Sequence, residues 1–492
     1  MPIPTAPRET HRPLTVVALL LGLFLSAMEM TVVSTAMPTA VGELGGIHLY
    51  AWVFAAYMLT ATVTLPIYGK IADLYGRKPV MITGIALFLG GSFLCGHATG
   101  MTELILYRAL QGLGAGAIQP VAMTIVGDLF DVHQRGRIQG VLGAVWGLAG
   151  LIGPVLGGAI VHWLSWRWVF YVNIPLGLGC AAVLILAYHE KVEQRAHRLD
   201  FAGAALLSLG VVLILLAARS REAGAVSLPA AAVALALFLR VERRADEPIL
   251  PLDLFSQRVM ATASVTGALV GAAMISVVTY VPLYVQSVLA GSPTDAGTAI
   301  APIAIGWPIS STLAGRILPR TGYRALIRGG LAITSLAALG LSLLLRPGAD
   351  LWTLRLLAAL YGFGLGFANT PLVIAVQSSV PWNRRGVATA STLFSRSIGG
   401  TMAVGILGGV LAAALAAGGA PAGAIDQLLG PERSLLPPAL VQSLSGVLQG
   451  GMDSIFRAVA WIAFAGFAAS LLFPHVPIAP RGTDPAGAGP GA

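Results

Sequence analysis

Apolar runs long enough to cross a bilayer recur from Leu14 almost to the end of the chain. A helical crossing needs about 20 mostly apolar residues. Fourteen such runs can be drawn, at 14–38, 50–69, 79–98, 103–127, 138–162, 169–189, 201–218, 225–240, 259–289, 297–317, 326–346, 353–379, 386–416 and 454–473. They lack the period-two alternation of barrel strands, and a helix satisfies its own backbone hydrogen bonds, as lipid requires. The expected fold class is therefore an all-α polytopic membrane protein. The charge content agrees: only 10% of the 492 residues are charged and 56% are hydrophobic, whereas a soluble domain carries about 25% charged residues. The first run, Leu14 to Ala27, resembles a signal-peptide core, but it continues through Val32, Val33 and Ala36 without a cleavage pattern, so it reads as a retained span.

The net charge of +9 does not point to nucleic acid. The basic residues sit in short connections, where topology and anionic lipid account for them. About 21 of the 30 lie on the N-terminal side of the membrane and about 7 on the other, while Arg108 and Arg396 fall inside spans. That excess predicts that both termini are cytoplasmic, in a bacterial inner membrane. Cys95 and Cys180 lie in spans and read as small apolar residues. Gly69-Lys70 is followed by Ile71, so no phosphate-binding loop is present. No His-Glu-x-x-His and no Cys/His spacing of a metal site occurs. Neither an enzyme, a metal site, a cofactor nor a nucleotide motor is expected.

An internal repeat organises the chain. Gly69-Lys70, Gly76 and Lys78 recur 246 residues later as Gly315-Arg316, Gly322 and Arg324, and Gly112, Gly114 and Gly116 recur 250 residues later as Gly362, Gly364 and Gly366. The matches fit two related six-helix bundles, the alternative being coincidence among glycine-rich helices. The expected division is a cytoplasmic N-terminus at 1–13, a first bundle at 14–189, two inserted helices with linkers at 190–258, a second bundle at 259–474 and a disordered tail at 475–492. Within the second bundle, 417–452 reads as a long outer loop containing Asp426, Glu432 and Arg433, its later part a candidate amphipathic helix. A substrate site is expected where the repeats meet.

Four motifs carry chemistry. The turn after span 2 reads Gly69-Lys-Ile-Ala-Asp73-Leu-Tyr-Gly76-Arg77-Lys78; its glycines permit a tight turn, and it serves either as a latch or as a plain basic hairpin. Span 4 holds Arg108, Gln111, Gly112, Gly114 and Gly116. A mid-span arginine costs about 2.5–3.5 kcal/mol on insertion scales, so Arg108 either finds a partner or snorkels to the surface. Span 5 carries Gly140, Gly143, Gly147, Gly150, Gly153, Pro154, Gly157 and Gly158, a kinked helix with a groove for a neighbour. Span 1 places Glu29 and Thr31 before Pro38. Glu29 is the one carboxylate well inside a span, because Glu103 and Asp128 sit at span ends. Such a group protonates or pairs, which suits a proton carrier or cation contact, or else a hydrogen-bonded structural carboxyl.

These motifs resemble the major facilitator superfamily, and in particular its fourteen-span drug:proton antiporters. The Gly69–Lys78 turn matches the family's signature loop, a latch between the halves in the outward-facing state; the second copy has Pro319 at the place of Asp73. The Arg108 segment resembles the span-4 motif implicated in proton coupling, and the 150–158 segment the motif of the antiporters, with Ala149 at one glycine position. Glu29 stands where aspartate is usual. Ser165–Gly177 and Pro282–Gln286 also resemble the fourteen-span exporters. The resemblance implies two six-helix bundles plus two extra central helices. It also implies export of lipophilic compounds in exchange for protons, with Glu29, Thr31, Arg108, Gln111, Gln286 and Arg396 as residues of the coupling site and cavity. Arg396 either faces the cavity or bonds a backbone carbonyl. An exporter of one metabolite, self-made antibiotic or lipid is the nearest alternative. The expected partners are the bilayer, small lipophilic molecules and protons, with a monomer as the working unit and any membrane-fusion or periplasmic partner unassigned. This topology predicts that a cysteine placed at Gly423 is labelled from outside intact cells while one at Gly489 is not; equal labelling would overturn it.

Overall fold

The computed structural model describes residues 10–130, 132–190, 200–218, 221–245, 248–346, 348–381, 384–419, 423–430, 433 and 435–477, apart from the side chains of 73, 127–128, 132–143 and 221. The side chain of Asp73, Glu432, and the tail from 478 onward therefore lie outside the described residues, as do details around Gly140 and Gly143.

The helices in chain order are α1 (Arg12–Leu44), α2 (Tyr50–Tyr75), α3 (Arg77–His97), α4 (Met101–Leu129), α5 (Val132–Trp163), the short α6 (Trp168–Tyr171), α7 (Asn173–Ala187), α8 (Phe201–Ala217), α9 (Arg221–Glu242), α10 (Arg258–Ser287), α11 (Pro293–Leu344), α12 (Leu351–Ser378), α13 (Arg385–Ala417), the short α14 (Ala424–Leu429) and α15 (Pro438–Leu471). Twelve helical stretches among the described residues are long and apolar enough to span a membrane, α6 and α7 counting as one. One of them, α11, has 52 residues, about 78 Å at 1.5 Å per residue, and so crosses twice. It breaks at Gly322, with φ 79° and ψ 165°, backbone space that glycine alone enters freely. With α11 divided there and the 17-residue apolar α8 added, fourteen crossings result.

The repeat seen in sequence is a repeat of packing. Helix α4 lies between α2 and α3, and α12 lies between the two arms of α11. Gly112 abuts Tyr57, and Gly362 abuts Ile303; Gly116 abuts Ala61 and Thr64, and Gly366 abuts Trp307 and Ser310; Gly114 abuts Gly84 and Phe88, and Gly364 abuts Gly330 and Thr334. Each partner recurs 246 residues later. Gly76, with φ 95°, turns α2 into α3 as Gly322 turns the arms of α11. Beyond each turn a basic residue reaches the carbonyls at the end of the half: Lys78 Nζ donates to Ile185 O (2.7 Å) and Tyr188 O (2.5 Å), and Arg324 Nε donates to Phe473 O (2.8 Å). The inserted helices α8 and α9 pack on each other and dock on the seam between α2 and α13, where Ala55, Leu59 and Val63 meet Ala204, Leu207, Val211 and Phe394.

The two halves touch at the end that carries the α1–α2, α10–α11 and α13–α15 connections, called here the strap end. Thr39 Oγ1 donates to Gln286 Oε1 (3.0 Å), Gln286 Nε2 donates to Thr35 O (2.9 Å), and Tyr50 OH donates to Thr279 O (2.7 Å). The 417–452 stretch departs from the loop expected for it. From Pro438 onward it is the first turns of α15. Leu440, Val441, Leu444, Val447, Leu448 and Met452 recur at helical spacing, and Pro438 suits a first helical position. The remaining part straps the halves together: α14 packs on α1, and Asp426 accepts from Gly46 N and Ile47 N (both 3.0 Å), while Arg433 Nη1 ties the strap to its own half by donating to Gln286 O (2.8 Å).

The close approach at the repeat glycines can be tested with two alanines. A Cβ at Gly114 meets the backbone of Gly84 and Phe88, so Gly114→Ala should destabilise by about 1–3 kcal/mol. Gly90, also helical, has nothing within 4 Å of such a Cβ, and Gly90→Ala should stabilise by about 0.5–1 kcal/mol. Thermal midpoints of the detergent-purified variants give the check; a Gly114→Ala protein that melts as high as Gly90→Ala would contradict the packing.

Candidate coupling site in the first bundle

Five segments of the first half converge on one sealed polar cluster. Glu29 lies near the middle of α1, and Arg108 and Gln111 share a face of α4 one turn apart. Ser92 comes from α3, and Asn173 opens α7. Asn173 can point inward because the chain breaks between α6 and α7, and Pro175, which lacks an N–H, sits in the first turn where that N–H would have no intrahelical partner. Glu29, Ser92, Gln111 and Asn173 are fully buried, and Arg108 is 1% exposed.

The bonds close almost completely. Arg108 Nη1 forms an ion pair with Glu29 Oε1 and donates to Gln111 Oε1 (2.6 Å). Arg108 Nε donates to Val53 O (3.3 Å), and the guanidinium carbon lies 4.1 Å from the centre of the Tyr57 ring. Asn173 Nδ2 donates to Glu29 Oε2 (2.6 Å) and to Ser92 Oγ (2.9 Å). Gln111 Nε2 donates to the same hydroxyl (3.2 Å), which donates in turn to Phe170 O (2.8 Å). The Asn173 Oδ1 atom is buried without a hydrogen-bond partner. Of the two readings open for Arg108, snorkelling is excluded: the guanidinium turns inward to a carboxylate. A buried pair of this kind contributes modestly as a whole, but removing one partner strands the other charge, at a cost of about 3–5 kcal/mol.

The other sequence candidates lie elsewhere. Thr31 donates to Met28 O (2.9 Å) and faces Gly153, where any side chain would strike it. Gln286 is a clamp between α10 and α1 at the strap end. Arg396 belongs to the second half, where its Nη1 donates to Asn369 Oδ1 (3.3 Å), a side-chain partner in place of the backbone carbonyl considered from sequence. In α5 the glycines face two ways. Gly153 and Gly157 receive Thr31, Val32 and Thr35 of α1; Gly150 meets Ala304 of α11, and Gly158 meets Pro293 and Thr294. Pro154 puts its carbonyl against Gly297. Helix α5 is thus wedged between the halves, its glycines receiving the short Thr31 and Thr35 side chains of α1 and, on α11, Ala304, Pro308 and the backbone of Pro293 and Thr294. In the Gly69–Lys78 turn, Gly69 is open, and Arg77 and Lys78 bind within their own half: Glu190 accepts from Arg77 N (2.8 Å) and Lys78 N (3.0 Å), the free N–H groups at the start of α3.

Ser92, Tyr57 and Asn173 were missed in sequence. Ser92 and Tyr57 look like ordinary residues of apolar helices. Asn173 did stand in a segment singled out for its resemblance to exporters, and its position two residues before Pro175 marks a helix start. If Glu29 and Arg108 stabilise each other as drawn, Glu29→Gln and Arg108→Gln should each lower stability by about 3–5 kcal/mol. The double variant should lose less than the sum of the two, as measured by a double-mutant cycle of unfolding free energies. Additive losses would show that the pair is not formed.

The chain can be compared with known proteins on this footing. The family model described as "Major Facilitator Superfamily" matches residues 19–404. "Multidrug transporter protein MdtP" of Bacillus subtilis (strain 168) is 37% identical over 418 residues, covering 82% of this chain and 76% of that protein. "Multidrug resistance protein 3" of the same organism is 33% identical over 494 residues, covering 95% and 96%. Among solved structures, the bacterial homologue of the human lysosomal transporter Spinster superposes with a TM-score of 0.69 at 14% identity, covering 95% of this chain and 97% of that one, which speaks to the fold. The family match across most of the chain, the relatives above 30% identity and the duplicated helical architecture agree: the chain belongs to the Major Facilitator Superfamily of membrane transporters.

Proposed function

We propose that this protein exports small lipophilic compounds from a bacterial cytoplasm in exchange for inward-moving protons, and that Glu29 carries the proton. The observation that carries this reading is the pairing of Glu29 with Arg108 inside a cluster sealed from solvent. A carboxylate in such a place keeps its charge only while a cation faces it. A proton arriving on Glu29 cancels that attraction, frees the guanidinium, and loosens the contacts that join α1, α3, α4 and α7. Proton loading is thereby linked to helix packing in the half that borders α5. The names of the two Bacillus relatives support drug-like cargo.

In this reading the strap end faces outward and the Gly69–Lys78 turn faces the cytoplasm, in the plasma membrane, as the basic residues indicate. The halves are closed outside, and export requires them to part there. Helix α5 is the surface over which they rock, because its glycines meet short side chains, Thr31 and Thr35 of α1 and Ala304 and Pro308 of α11, together with backbone. Asp73 and its turn then act as the latch of the opposite state. One proton moving down 100 mV supplies about 2.3 kcal/mol, enough for a useful gradient without a nucleotide.

Purified protein in vesicles with an imposed proton gradient tests the proposal with a dye panel. Uphill, gradient-dependent export is expected of the wild type. Glu29→Asp, which keeps the charge, should retain much of it. Glu29→Gln, alone or with Arg108→Gln, should insert into vesicles and lose uphill export. Uphill export by Glu29→Gln would remove Glu29 as the carrier, and an effect of the gradient on no dye would remove proton-driven multidrug export.

A further inference from the structure

A second pair of acidic groups lies far from Glu29 in the chain, at the end of the inserted helices near the Gly69–Lys78 turn. Asp200 caps α8, its Oδ1 accepting from Gly203 N (2.7 Å). Glu242 sits in the last turn of α9 and is only 3% exposed; its Oε1 accepts from Leu250 N and so holds the segment that leads into α10. The other oxygen of each carboxyl, Asp200 Oδ2 and Glu242 Oε2, is buried without a hydrogen-bond partner. Both crowd the same point: a Cβ built on Gly203 would lie within 3.0 Å of each. The two oxygens thus share one small space in which no donor among the described residues bonds either of them.

We propose that Asp200 and Glu242 form a proton-binding site, in which one proton is held between Glu242 Oε2 and Asp200 Oδ2. Two carboxylates that share a buried site do not both ionise. One carboxyl retains its proton and donates it to the other, and both stranded oxygens are then satisfied. A divalent cation is the poorer occupant, because it takes about six oxygen ligands, and no group of three metal-binding side chains occurs among the described residues. The charged group that acts on Glu242 from α2 is Lys70; from the cap of α8 it is Asp200; on its own helix Arg243 and Arg244 follow, both exposed. Removal of the shared proton would set two anions side by side. They would relax by parting, which loosens α8 from α9, releases the lead into α10, and changes the field at Lys70 in the turn. The site would make the packing of the inserted helices sensitive to pH at that end of the protein, independently of any coupling through Glu29.

The folded protein holds this proton between the two carboxyls, whereas unfolding separates and hydrates them. It then binds more protons than the unfolded state, so stability should fall as pH rises, by up to about tenfold in the folding equilibrium per pH unit until the pair itself deprotonates. The test measures thermal midpoints of the full chain in nanodiscs from acid to alkaline pH. Glu242→Gln keeps the acceptor for Leu250 N and offers a permanent N–H to Asp200; Asp200→Asn keeps a good helix cap and does the same in reverse. In each variant this component of the pH slope should vanish, while Glu29→Gln should retain it. A protonated-carboxyl infrared band that shifts in D2O should be present in the wild type and lost in both variants. A slope and band unchanged by both substitutions would overturn the proposal, as would variants that destabilise equally at every pH, which would mean an ionised pair held by cations.

Discussion

Contact between helix backbones is the constraint on which the structure depends. Lipid tails are as apolar as leucine, so expulsion of water does not press these helices together. Close packing and a small number of polar bonds must do so. Glycines at 112, 114 and 116 let α4 settle onto α2 and α3, and those at 362, 364 and 366 seat α12 against both arms of α11. The same device placed on α5 does something different. Its glycines face α1 on one side and α11 on the other, so the helix belongs to one half and bears on the second. A contact made of glycines, short side chains and backbone has little to disengage, and it suits a surface that slides.

Polar bonds are sparse and consequently informative. In the buried middle of the first half they centre on Glu29 and Arg108, which ties four helices and the α6–α7 break to a single charge pair. Between the halves they gather at the strap end, where Gln286, Tyr50 and Asp426 make the crossings. The two sets differ in kind. The first cannot change its charge without stranding a partner in a buried site. The second consists of hydrogen bonds to backbone and amide groups that water can replace once the end opens. On the proposed mechanism the first kind registers a proton and the second yields.

The inserted helices occupy a place consistent with that division. They lie on the seam of α2 and α13, one helix from each half, through small apolar side chains. Their one buried acidic contact is at the end that also holds Lys70, so an event in the pair reaches the turn between α2 and α3 without passing through the first-bundle cluster.

Much of this was legible in the residues. Crossings, duplication and the embedded Glu29 follow from the length of apolar runs, from glycine spacing and from the cost of a charge in hydrocarbon, all of which are local. The cost of a mid-span charge also singled out Arg108, and family resemblance added expected roles for it, for the Gly69–Lys78 turn and for the span-5 motif. Partnership was not legible, because it depends on which helix faces which. Nothing in the spacing says that Asn173 reaches Glu29 across 144 residues, that Ser92 joins Asn173 to Gln111, that Gln286 clamps α1 and lies apart from the coupling cluster, or that Arg396 bonds Asn369. The stretch read as an outer loop to residue 452 shows the same limit from the other side. Its later part was legible as an amphipathic helix, but not that this helix runs unbroken from Pro438 into the last span, where packing on neighbours stabilises it. The chain by itself determined that it must be a duplicated bundle of membrane helices with one costly carboxylate inside. Only the tertiary structure decided which cation answers that carboxylate, because a buried charge is satisfied by whatever the fold brings within hydrogen-bond reach.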